Sequence, residues 1–102
     1  GWTTALLAEM VGEKGNVTGM ELRSSLVDFG VGNLGKYNFK NAKILQADKD
    51  KLGSPGKTFD KILVSASANT FPEELKDQLK PNGVLVMPVK NSIFKKKTWA
   101  DF

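Results

Sequence analysis

Two runs of consecutive apolar residues constrain this chain most. Ile62-Leu63-Val64 lies within FDKILVSA (59–66), and Val84-Leu85-Val86-Met87 lies within VLVMPV (84–89). Both are too short for ordinary helices and lack the strict alternation of a half-exposed strand. A strand buried on both faces requires such a run, and strands of that kind belong to parallel sheets covered by helices. The residues between them fit a crossover. Thr70-Phe71-Pro72-Glu73 has the spacing of a capping box, with Pro72 in the first turn, where its missing N–H costs nothing. Leu75 and Leu79 continue a helix over 71–79, and Lys80-Pro81-Asn82-Gly83 fits a turn. The two strands are therefore expected to pair in parallel through a right-handed connection.

The same alternation runs through the first half. Residues 3–12 read as a helix that starts at Thr3 or Thr4, carries Ala5, Leu6, Leu7, Ala8, Met10 and Val11, and stops at Gly12 and Gly15. A strand over 16–21 ends on Glu21. Ser24 or Ser25 caps a helix over 24–36, with Leu26, Phe29, Asn33, Leu34 and Tyr37 near one face. Gly30 and Gly32 inside it each cost about 1 kcal/mol against alanine, so tertiary packing must hold it. AKILQA (42–47) is a short strand that runs into Asp48, and KDKLGSPGKT is loop. Short helix–strand connections of this kind define an α/β fold with a mostly parallel sheet.

Composition excludes several chemistries. There is no cysteine, hence no disulfide or zinc–thiolate site, and no histidine, hence no Ser–His–Asp or Cys–His catalysis and no imidazole metal site. No apolar run approaches the roughly 20 residues that span a bilayer, and no signal peptide is visible, so a cytoplasmic protein without membrane contact is expected. Of 15 Lys and Arg, four lie in residues 90–102, which leaves 11; of 11 Asp and Glu, Asp101 lies there, which leaves 10. The body, residues 1–89, is thus nearly neutral and no nucleic-acid partner is expected. Residues 90–102, with Lys90 and Lys95-Lys96-Lys97, read as a solvated basic tail.

In parallel, helix-covered sheets ligands bind outside the carboxyl ends of the strands. Two strands here end on acids, Glu21 and Asp48, and a third ends on Ser65-Ala66-Ser67. One such carboxylate is most often a solvated turn residue. Two in this order have a joint use: the first can accept from both hydroxyls of a ribose, the second from an exocyclic amine. Together they point to a nucleoside-containing cofactor. Trp2, Phe29 and Phe59 read as core or site wall rather than as platforms for bases.

Three stretches, GWTTALLAEMVGEKGNVTGMEL, NFKNAKILQAD and FDKILVSASANTFPEELKDQLKPNGVLVMPV, resemble successive segments of the protein-L-isoaspartate O-methyltransferases. That family belongs to the class I S-adenosylmethionine-dependent methyltransferases, and the similarity covers about residues 1–90. The resemblance implies a Rossmann-like sheet that lacks the family's opening strand and its C-terminal strands, and S-adenosyl-L-methionine as cofactor. It implies that Glu21, with Leu22 beside it, binds the ribose and that Asp48 meets the adenine amine. Lys49 stands where the family usually has glycine. Gly1 and Thr3 would sit near the methionine carboxylate at the helix start. The implied substrates are isoaspartyl-containing proteins or peptides, with no catalytic residue and no metal ligand in this chain. With the opening strand absent, three arrangements are open: a fragment or divergent member, a compacted sheet, or a second chain that completes the sheet. The alternative function is a non-catalytic α/β module that has lost the cofactor.

Overall fold

The computed structural model of the chain describes residues 2–65, 72–89 and 92–98. They fall into two compact units, one up to Lys51 and one from Leu52 onward.

In the first unit, α1 (Trp2–Val11), β1 (Val17–Glu21), α2 (Ser24–Gly35) and β2 (Ala42–Gln46) follow the expected order. β1 and β2 pair in parallel without a slip, from Val17 opposite Ala42 to Glu21 opposite Gln46. Ala5, Leu34 and Ile44 form the core, with Val27, Phe39 and Ala42 packed against it. α1 turns its small side inward: Thr4, Ala5 and Ala8 are buried, while Leu6, Met10 and Val11 are exposed. Gly19 makes that approach possible, because a Cβ there would lie 2.6 Å from Thr4 Oγ1. The far end of α1 is capped by Asn41, whose Nδ2 donates to the carbonyls of Ala8 (3.2 Å) and Gly12 (2.7 Å). Asn41→Ala removes two bonds worth about 0.5–1.5 kcal/mol each, so the urea midpoint falls at constant slope.

α2 is rotated from its expected setting. Val27, Gly30 and Leu34 face the sheet, whereas Leu26, Phe29 and Tyr37 are 45%, 68% and 62% exposed. Gly30 has no side chain to hold the helix off, so the stripe centred on it packs closest and the bulkier residues swing outward. Phe29 is thus not core.

The second unit contains β3 (Phe59–Leu63), a 3-10 helix (Glu73–Gln78), β4 (Leu79–Val89) and β5 (Ser92–Thr98). β3 and β4 pair in parallel, as expected, and β5 joins β4 antiparallel. β5 is formed by residues assigned from the sequence to the basic tail. From Gly83 to Val89 buried and half-buried residues alternate along β4, and Leu75, Leu79, Leu85, Met87 and Val89 make the core with Ile62 and Val64 against it. β3 is not buried on both faces: Leu63 is 47% exposed, because among the described residues only one face of this sheet is covered.

Two local expectations change. The helix over 71–79 is a short 3-10 turn entered through Pro72 without a side-chain cap; Thr70, the proposed cap, lies outside the described residues. Its three-residue period puts Leu75 and Gln78 on one buried face. Gln78 Nε2 donates to the Leu52 carbonyl (2.9 Å), and Oε1 accepts from Ser54 N–H (2.8 Å), which ties down the loop before β3. The Lys80–Gly83 turn is absorbed into β4 as a wide bulge. Phe59 pairs with Leu79 and Lys61 with Val84, so Lys80–Gly83 stand opposite the single residue Asp60. Pro81, which has no N–H to give a ladder, is tolerated there.

Among the described residues the strands do not form one compacted sheet. β1–β2 and β3–β4–β5 are separate ladders.

Candidate functional site

Because β1 and β2 run in parallel and in register, their carboxyl ends open on one edge about 4.8 Å apart. Glu21 lies opposite Gln46, and Ala47 N–H bonds the Glu21 carbonyl at 2.8 Å, so the ladder continues one residue further and delivers Asp48 next. Glu21 is half-buried. Its Oε1 accepts from Arg23 N–H at 3.1 Å, and among the described residues Oε2 has no partner. Asp48 is exposed at the head of a turn in which Oδ1 accepts from Asp50 N–H (2.9 Å) and its carbonyl accepts from Lys51 N–H (3.2 Å). Leu22 and Lys49 follow the two acids, both exposed.

The direction of α1 completes the edge. Its start packs Thr4 on Gly19 at the middle of β1, and its end is bonded to Asn41 just before β2. The helix therefore runs antiparallel to both strands, and its N-terminus points toward the acids. Thr3 is exposed in that first turn, which holds no acidic residue. The unpaired N–H groups and the positive end of the helix dipole thus face the same edge as two carboxylates. The structure places Glu21, Leu22, Asp48 and Lys49 at and just past the carboxyl ends of β1 and β2, and Thr3 in the first turn of α1. Gly1 lies outside the described residues, and Ser65 belongs to the second unit, exposed, just past Val64, whose N–H bonds the Val86 carbonyl at 3.0 Å.

Sequence reading missed Gln46 and Asn41. Gln46 Nε2 donates to the Leu22 carbonyl at 3.2 Å and so fixes the backbone that follows Glu21. The only signal for it is the pairing of Glu21 with Gln46, a register that the sequence does not print. Two depressions of about 320 and 270 Å³ in this unit are lined by Val31, Leu34 and Lys43 in one case and Leu6, Glu9 and Tyr37 in the other, and neither includes the acids. Among the described residues no group of three acidic side chains could hold a metal ion, and no helix is long and apolar enough to cross a membrane.

Two carboxylates and a helix N-terminus thus share the carboxyl-end edge of a partial class I methyltransferase fold. Solved structures agree on the fold. A protein-L-isoaspartate O-methyltransferase superposes with a TM-score of 0.79 at 23% identity, over 96% of this chain and 33% of that one. A SAM-dependent methyltransferase from Aquifex aeolicus gives 0.63 at 21%, over 98% and 60%.

The sequence goes further. The family model for protein-L-isoaspartate(D-aspartate) O-methyltransferase (PCMT) matches residues 1–100, and the chain belongs to that family. It is 40% identical over 89 residues to the protein-L-isoaspartate O-methyltransferase of Pyrococcus horikoshii and 36% over 90 residues to that of Methanosarcina mazei. Those matches take in 87% of this chain but 40% and 37% of the relatives, so the chain spans well under half their length. A Plasmodium falciparum structure, described as a putative member in complex with S-adenosyl-L-homocysteine, aligns with a TM-score of 0.66 at 28% identity, over 81% of this chain and 44% of that one.

Proposed function

We propose that this chain is the cofactor-holding part of an S-adenosylmethionine-dependent methyltransferase that acts on the carboxyl group of L-isoaspartyl residues in damaged proteins. One observation carries the reading: Glu21 and Asp48 stand at adjacent carboxyl ends of an in-register parallel pair, with the N-terminus of α1 directed at them. When bound, the cofactor supplies a sulfonium-activated methyl group. Glu21 holds the ribose diol through Oε2 and the outer lone pair of Oε1. Asp48 accepts from the adenine amine, with Leu22 and Lys49 beside the base. The first turn of α1, with Thr3, neutralises the amino-acid carboxylate.

An isoaspartyl carboxylate is already ionised near neutral pH and needs no general base. The remaining work is alignment of oxygen, methyl and sulfur, worth several powers of ten in rate when reactants are held in place. No residue of this chain takes a catalytic role, and residues 1–89 form the cofactor-binding part. β1 is paired on one side only among the described residues. A further segment or second chain on its outer edge would complete the sheet. Isoaspartyl proteins are the substrates, in the cytoplasm.

Calorimetric titration with S-adenosylhomocysteine tests the cofactor role and should show binding. Absence of binding favours the non-catalytic module, with Lys49 in place of glycine as the cause. A second assay follows labelled methyl transfer from S-adenosylmethionine to an isoaspartyl peptide. The chain by itself should be inactive, since it spans about 40% of its relatives. Transfer at the rate of a full-length relative would show that substrate binding is also contained here.

A further inference from the structure

We infer that Asn82–Gly83 is a built-in modification site, where the chain converts its own asparagine to an isoaspartyl residue. The inference rests on the chemistry of this pair and stands whether or not the proposed activity holds. Asn82–Gly83 is the single Asn-Gly pair in the sequence; every other asparagine precedes a residue with a side chain. A side chain on the following residue crowds the amide nitrogen that must attack.

The fold leaves the pair in an unusual place. Lys80–Gly83 have no partner residues on β3, because the register jumps from Phe59–Leu79 to Lys61–Val84. The described ladder to β5 begins only at Val84. Asn82 is exposed, and its side chain makes no hydrogen bond among the described residues. The one ion pair across the bulge, Lys80 Nζ to Asp60 Oδ2 at 3.6 Å, is between exposed side chains and holds it weakly. Asn82 can therefore sample the rotamer that brings Cγ onto the next nitrogen.

The step balances without a cofactor. When the weakly held bulge opens and uncovers the buried Gly83, its nitrogen gives its proton to solvent base and attacks Asn82 Cγ; the new N–Cγ bond displaces Nδ2, which leaves as ammonia. Water then opens the cyclic imide. Attack at Cγ gives aspartate; attack at the main-chain carbonyl routes the backbone through the side chain and gives isoaspartate. Substitution of the glycine is closed to this chain as a defence. A Cβ at Gly83 would lie 2.7 Å from the Asp60 carbonyl oxygen and 2.6 Å from Leu79 Cδ1, so the bulge needs glycine. The position that the fold requires is the one that makes its neighbour labile. The product would be the same linkage on which the proposed activity acts.

The test incubates the full chain at mildly alkaline pH and maps its peptides by mass spectrometry, with electron-transfer fragmentation to separate aspartyl from isoaspartyl. Isoaspartate should accumulate at position 82 several-fold faster than at any other asparagine, faster still as pH rises. Asn82→Gln, whose imide ring closes far more slowly, should keep the circular dichroism of the wild type and lose the product; Asn82→Ser serves if that variant does not fold. Conversion at Asn82 no faster than at Asn38, which precedes Phe39 in an exposed turn, would overturn the inference.

Discussion

Leu85→Ala will cost the second unit about 2–5 kcal/mol, the range for large-to-small changes at buried sites. Leu85 has no exposed surface, and it lies mid-way along the inward face of β4 between Gly83 and Met87. Its neighbours in the core come from the 3-10 helix (Leu75), the start of β4 (Leu79), β3 (Ile62) and the residue just past β3 (Val64). Ile62 and Leu79 sit on strands held by the β3–β4 ladder, so they collapse little into the space left by the removed carbons. A domain of this size has about 5–15 kcal/mol in hand, so the variant should unfold at much lower urea. Leu63→Ala is the comparison. Leu63 lies between Ile62 and Val64, which pack on the same core, but is 47% exposed, and its loss should cost well under half as much. Equal costs at the two positions would mean that the outer face of β3 is covered in solution.

That contrast shows what the sequence conveyed and what it withheld. Element order, the parallel pairing of β3 with β4, and both strand-end acids were legible because they depend on local pattern: apolar runs, glycines at helix ends, acids after strands. The rotation of α2 was not legible. Phe29 and Leu26 look like the natural inward face, and the fold instead buries Gly30, because contact distance to the sheet outweighs side-chain size. The Lys80–Gly83 bulge was half legible. Its turn residues were correctly seen as a break, yet a turn and a three-residue excess in one strand share the same composition, and only the pairing with β3 separates them. β5 was hidden by its lysines, which read as tail until Val84–Val89 offers them a ladder. Gln46 and Asn41 went unseen for a related reason: each bonds a backbone carbonyl more than twenty positions away.

Glu21→Ala will weaken S-adenosylhomocysteine binding by about tenfold or more. Hydrogen bonds to a charged group are worth about 1.5–3 kcal/mol, and each 1.4 kcal/mol is a factor of ten in affinity. The half-buried setting of Glu21 limits the water that could replace it, and β1 carries no other carboxylate. Its internal bond, to Arg23 N–H, is exposed and readily taken over by solvent, so the loss should appear in binding rather than folding. Asp48→Asn should cost less: the amide oxygen still accepts from an amine, and the Asp50 N–H bond that shapes the turn survives. Glu13→Ala, an exposed acid in the α1–β1 turn, is the charge control. All variants are checked by circular dichroism and titrated at one ionic strength, since removal of a carboxylate alters the local field as well as the contact. The expected order is wild type and Glu13→Ala tightest, Asp48→Asn next, Glu21→Ala weakest. If Glu21→Ala binds as tightly as wild type, the ribose is not held at the end of β1, and the resemblance of this edge to a nucleoside site is one of shape without function.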